Sequence, residues 1–95
     1  MSVINLGEIW YSTIRGYSES VAQQLIQEIF SLGIQIIDSD WPLVKQAATF
    51  KARGRISYAD CFAAALAKRE TAELVTGDLE FKQFEDEIKI IWLKN

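Results

Sequence analysis

The chain contains no histidine, a single cysteine (Cys61) and a single proline (Pro42). Without histidine, no Ser-His or Cys-His catalytic pair can form within one chain. A zinc site would have almost no nitrogen or sulfur ligands to draw on. One cysteine permits no intrachain disulfide, in keeping with a reducing compartment. No apolar run approaches the ~20 residues that span a bilayer. The opening Met1-Ser2-Val3-Ile4-Asn5 lacks the basic start and apolar stretch of a signal peptide. The sequence therefore reads as a soluble, cytoplasmic protein with no membrane partner. Excess positive charge is missing as well: 10 Lys and Arg stand against 13 Asp and Glu, a net charge of −3. That balance excludes a protein gripping nucleic acid by bulk charge alone. It leaves room for an enzyme that holds a phosphodiester through metal ions and a few local cations.

What is present is enough for one domain over residues 1–95, with 49% hydrophobic residues to build a core. From Ser2 to about Arg15, Val3, Leu6, Ile9, Trp10 and Ile14 recur at helical spacing. Ser18 can cap a second helix with Val21, Ala22, Leu25, Ile26, Ile29 and Phe30 on one broad face, closed by Gly33. Ile34–Ile37 is short and β-branched and is expected to be a strand. Asp38, Ser39 and Asp40 offer caps ahead of Pro42, and a third helix is expected to about Ala52 with Val44, Ala47 and Ala48 inward. After the turn Arg53-Gly54-Arg55, Ser57 opens a fourth, Ala-rich helix from Tyr58 to about Arg69. A strand at Glu73–Thr76, a short helix at Leu79–Phe84 and a last strand at Ile88–Leu93 follow. Helices alternating with short apolar strands define an α/β class with a mostly parallel sheet.

Two acids stand at informative places. Asp60 lies in the first turn of the fourth helix, and Asp78 directly follows the strand Leu74-Val75-Thr76-Gly77. Because that helix leads straight into that strand, the two should run antiparallel, which puts Asp60 and Asp78 at the carboxyl edge of the sheet. Ligands of open α/β sheets bind at that edge. Each acid has a plainer reading. Ser57-Tyr58-Ala59-Asp60 has capping-box spacing, and Asp78 can cap the helix starting at Leu79. Converging carboxylates repel unless a cation or proton sits between them. Oxygen-only ligands without histidine point to Mg²⁺ or Mn²⁺.

The stretch Ile56-Ser57-Tyr58-Ala59-Asp60-Cys61-Phe62-Ala63-Ala64-Ala65-Leu66-Ala67 resembles the third acidic motif of PIN domains, the nuclease fold of VapC-type toxins. Leu74-Val75-Thr76-Gly77-Asp78-Leu79-Glu80-Phe81 resembles the fourth. Ile4-Asn5-Leu6-Gly7-Glu8-Ile9 looks like the helix bearing the second acid, and Ile88–Leu93 matches the last strand. The resemblance covers essentially the whole chain. It implies a three-layer α/β/α fold and a Mg²⁺- or Mn²⁺-dependent endoribonuclease. Carried over, Glu8, Asp60 and Asp78 would be metal ligands, with Thr76 hydrogen-bonding near the site. It also implies RNA as substrate and an antitoxin protein as partner.

The family's first strand and its Asp have no counterpart here, so the domain is expected to be incomplete at its N-terminus. With one acid fewer, the cluster would hold a divalent ion and its water less well. The expected result is a feeble or inactive nuclease, the alternative being a noncatalytic oligomeric or nucleic-acid-binding remnant. An open sheet is expected to be covered in a homodimer or swapped oligomer. Lys51, Arg53 and Arg55 on the turn before Asp60 could receive a phosphate backbone; as a charge run they could equally be solvated. Trp10, Tyr11, Trp41 and Trp92 are expected mostly in core or interface, Glu85-Asp86-Glu87 in solvent, and Cys61 packed.

Overall fold

A computed structural model describes residues 1–94. It divides into two compact units, Met1–Ser39 and the residues from Asp40 onward.

The first unit is a helical hairpin. α1 (Val3–Gly16) starts at Ser2, whose hydroxyl accepts the Asn5 backbone N–H at 3.1 Å and donates to Asn5 Oδ1 at 2.7 Å. α2 (Glu19–Ser31) starts the same way, with the Ser18 hydroxyl accepting the Val21 N–H at 3.1 Å. Both caps satisfy amide donors that the first turn leaves without a carbonyl. After Leu32, Gly33 takes φ +73°, the left-handed conformation that ends helices and that glycine adopts without steric cost. Of the face expected on α2, Ala22 and Ile29 are buried, whereas Val21 and Phe30 are exposed. The strand expected at Ile34–Ile37 does not form. Only Ile37 bridges, in parallel, to Ser2, through Val3 N to Ile37 O (2.9 Å) and Ile37 N to Met1 O (2.8 Å). A ladder needs a partner of similar length, and here the partner enters α1 one residue after the bridge.

The second unit holds the main core. α3 (Trp41–Arg53) is capped by Asp40, which accepts the Leu43 N–H at 2.9 Å, with Pro42 in its first turn. Its buried stripe is Leu43, Ala47 and Phe50, at helical spacing. Ala48, expected inward, is exposed, and Val44 is half-buried, because the stripe is centred one position away. α4 (Tyr58–Arg69) packs on α3 and buries Cys61, Phe62, Ala64, Ala65 and Ala67; apart from Phe62 these are small side chains that let neighbouring elements approach closely. Phe50 meets Phe84 with ring centroids 4.3 Å apart. Arg69 at the end of α4 forks onto Asp40 at the start of α3, both N–O distances being 2.8 Å, so the helices run antiparallel.

α4 closes with a Schellman motif: Ala72 N donates to Ala67 O at 2.8 Å and Thr71 N to Lys68 O at 3.3 Å. Thr71 takes φ +51° there, a conformation that a β-branched residue adopts only at a cost. This tight reversal drops the chain into β1 (Glu73–Thr76), which α4 also contacts. β1 pairs in parallel with β2 (Lys89–Trp92), Glu73 opposite Lys89 and Thr76 opposite Trp92. The crossover contains a 3₁₀ helix, Leu79–Phe84, whose Phe81 and Phe84 are buried. Leu74, Ile90 and Trp92 turn inward onto the core. The fold is α/β with a parallel sheet, two-stranded among the described residues; the third strand expected, at Ile34–Ile37, is reduced to its single bridge.

Three further side chains depart from expectation. Trp41 is 68% exposed on the first turn of α3 rather than in the core. Tyr11 is 48% exposed. Glu87 is half-buried rather than solvated, held by Arg53 and Lys68. Its carboxyl is thereby held below the ordinary glutamate range, chiefly by the Arg53 hydrogen bond and then by Lys68. The two cations also lie over the Phe50 ring, 5.4 and 5.7 Å from its centroid. Glu87 thus ties the ends of α3 and α4 to the segment entering β2. Cys61 is buried and free, as expected of a packed thiol, and burial raises its pKa.

Candidate active site

Asp60 lies in the first turn of α4 and is half-buried. Its backbone N–H donates to the Ser57 hydroxyl at 3.1 Å, so one half of a capping box is formed. The reciprocal half is missing: among the described residues the Asp60 carboxylate accepts no hydrogen bond and has no ion-pair partner. A carboxylate at a helix N-terminus is favoured by the helix dipole. This one keeps both oxygens available to a ligand.

Asp78 stands just beyond the carboxyl end of β1. Its backbone N–H donates to Thr76 Oγ1 at 3.0 Å, and its Oδ1 accepts the Glu80 N–H at 2.9 Å. Thr76 therefore turns the chain so that Asp78 projects from the strand end, and Asp78 caps the 3₁₀ helix. The second oxygen accepts no bond among the described residues. Leu93 N donates to Thr76 O at 2.9 Å, so the ladder continues to the point where Gly77 and Asp78 leave it. Because α4 reverses tightly into β1, its first turn and the end of β1 belong to the same end of this unit. Asp60, Thr76 and Asp78 share that end.

The other candidates are distributed differently. Glu8 is half-buried on α1, in the first unit. Lys51 donates to Ile56 O at 2.6 Å, bracing the loop that leads into α4. Arg53 pairs with Glu87. Arg55 is exposed and has no ion-pair or hydrogen-bond partner among the described residues. The cationic turn read as one patch is thus two structural cations and one uncommitted one. The bracing role of Lys51 escaped the sequence reading, since nothing in Lys51-Ala52-Arg53-Gly54-Arg55 marks which cation faces a carbonyl.

Among the described residues, no group of three or more His, Cys, Asp or Glu side chains converges as a metal-binding cluster. The uncommitted donors are carboxylate oxygens, which suit a hard ion such as Mg²⁺ or Mn²⁺. Mg²⁺ is commonly held by one or two carboxylates with waters and substrate phosphates completing its shell. The residues of this site fit such an ion and do not fit zinc. No helix among the described residues is long and apolar enough to cross a membrane.

The family model for the PIN domain matches residues 1–87, nearly the whole chain. No curated protein and no solved structure matches the chain. PIN domains have a nuclease-like fold and generally use divalent metals, in agreement with acids at the carboxyl end of a parallel sheet. On the length of that match, the chain belongs to the PIN domain family.

Proposed function

We propose that this chain is a toxin-type, VapC-like endoribonuclease that hydrolyses RNA phosphodiesters with Mg²⁺ or Mn²⁺. The observation that carries the proposal is the Asp60 carboxylate, unbonded among the described residues on the first turn of α4, in a chain of the PIN family. Asp60 and Asp78 would hold the ion. A bound divalent ion would polarise the scissile phosphate and lower the pKa of its water. Thr76 fixes the backbone N–H of Asp78 and so aims its carboxylate. Arg55 is the cation free to meet a phosphate, whereas Lys51 and Arg53 act on the RNA only if their internal partners release them. With few carboxylates the ion is held weakly, and activity is expected only at high metal concentration.

This reading brings an antitoxin protein as partner and the cytoplasm as site of action, where Cys61 stays reduced. It also brings a homodimer or swapped oligomer. The sheet has only two strands among the described residues, so both of its edges lack a neighbouring strand there, and an unpaired edge is a template for pairing with another chain. A second reading is a noncatalytic oligomeric or nucleic-acid-binding remnant. It is favoured by Asp78, whose Oδ1 is engaged as a cap. Calorimetric titration with Mn²⁺ separates the two. The nuclease reading expects binding that disappears in Asp60→Asn; no binding by the folded wild-type chain favours the remnant.

A further inference from the structure

Tyr58 opens α4, two residues before Asp60, and is 45% exposed. Its ring meets Phe62 edge to face, with centroids 5.1 Å apart and planes at 72°. Phe62, one helical turn on, is 2% exposed and belongs to the core. Helical side chains lean toward the N-terminus, so the Tyr58 ring lies over the start of α4. One side of the ring is braced by the core and the rest is open. Its hydroxyl makes no hydrogen bond among the described residues, so nothing polar accounts for its position. Ser57, Ala59 and Asp60 around it in sequence are small or polar and do not extend it into an apolar patch. Arg55, uncommitted among the described residues, precedes it by three residues.

A rigid, half-open aromatic ring with a free cation and a free carboxylate close along the chain matches the needs of a single-stranded nucleotide. Base stacking on aromatic side chains works for any base, provided the base is out of a duplex. From this, and resting on the nuclease reading above, we propose that Tyr58 is a stacking platform for one nucleobase of single-stranded RNA. It holds the strand so that a phosphate lies beside Asp60.

The test is the affinity of the full chain for two fluorescent strands, measured by anisotropy with Ca²⁺ replacing Mn²⁺ to hold cutting back. One is a short single-stranded oligoribonucleotide; the other has the same backbone without bases. Tyr58→Phe keeps the ring and should bind both strands within about twofold of wild type. Tyr58→Leu keeps apolar contact with Phe62 but removes the ring, so folding is preserved. It should lose roughly five- to 150-fold for the base-bearing strand, the range of one stacked base, with no change for the abasic strand. Equal loss on both strands, or no loss on the base-bearing one, overturns the platform while leaving the nuclease reading in place. A wild-type chain that binds neither strand overturns both.

Discussion

The two units of this chain have different kinds of cohesion. The unit from Asp40 onward holds the whole contiguous buried cluster, from Leu43 and Phe50 through the small residues of α4 to Ile88. The ion pairs found among the described residues also lie in it. The first unit is organised by its helix caps, one bridge at Ile37 and a few buried side chains such as Ala22 and Ile29. Burial of apolar area is the larger stabilising effect, at roughly 25 cal/mol per Å², whereas a cap contributes about 1 kcal/mol. The acids on which the proposed function rests, Asp60 and Asp78, therefore stand on the unit with the larger core, and a site is held best where its supports are well packed. Glu8 stands on the other.

Breaking the core should have the largest effect. Phe50 is fully buried against Phe84. Phe50→Ala should cost about 3–5 kcal/mol, read as a lower urea midpoint. Amide exchange should speed up throughout α3 and α4. A loss under 1 kcal/mol would mean that the core is not what holds this unit.

Removing a cap should be milder. Ser2→Ala deletes both the bond from the Asn5 N–H and the one to Asn5 Oδ1. A cost of about 1 kcal/mol is expected, with amide exchange faster in the first turn of α1. A cost as large as that of Phe50→Ala would erase the contrast between the units.

The smallest effect should come from the charge tie. Glu87→Gln should lower stability by about 0.5–1 kcal/mol at neutral pH, the scale of partly exposed pairs. Because Arg53 and Lys68 depress the folded pKa of Glu87, its stabilising contribution is present above the ordinary value of 4.5. It is lost as pH falls through the lower folded value. Wild type and Glu87→Gln should thus differ in melting temperature at neutral pH and converge well below pH 4.5. Parallel pH profiles would show that the tie contributes nothing.

Much of the second unit is legible in the sequence because its signals are local and agree. Ser57 before an Ala-rich run marks α4, and its end at Arg69 and the strand at Glu73–Thr76 fall where expected. The Asp60 and Asp78 motifs carry the family before any coordinates. What is not legible depends on partners distant in sequence. Ile34–Ile37 has strand composition, but a strand exists only if a neighbour completes its ladder. Trp41 is apolar yet exposed, because it falls off the stripe that Leu43, Ala47 and Phe50 set. Glu87 reads as one of three solvated acids, and only the fold brings Arg53 and Lys68 to it. Likewise, both plainer readings of the acids are partly realised: Asp78 is a cap, and Asp60 forms half of a capping box. Local pattern alone cannot say that the carboxylate of Asp60 would be left over.

The most direct test of the central claim is RNA cleavage by the purified chain with Mn²⁺, alongside Asp60→Asn, Asp78→Asn and an EDTA control. Cutting should depend on the metal and fall at least tenfold in each variant, a loss of about 1.4 kcal/mol or more in transition-state stabilisation. Cutting unchanged by either variant, or no cutting by folded wild-type protein at any Mn²⁺ concentration, would contradict that claim.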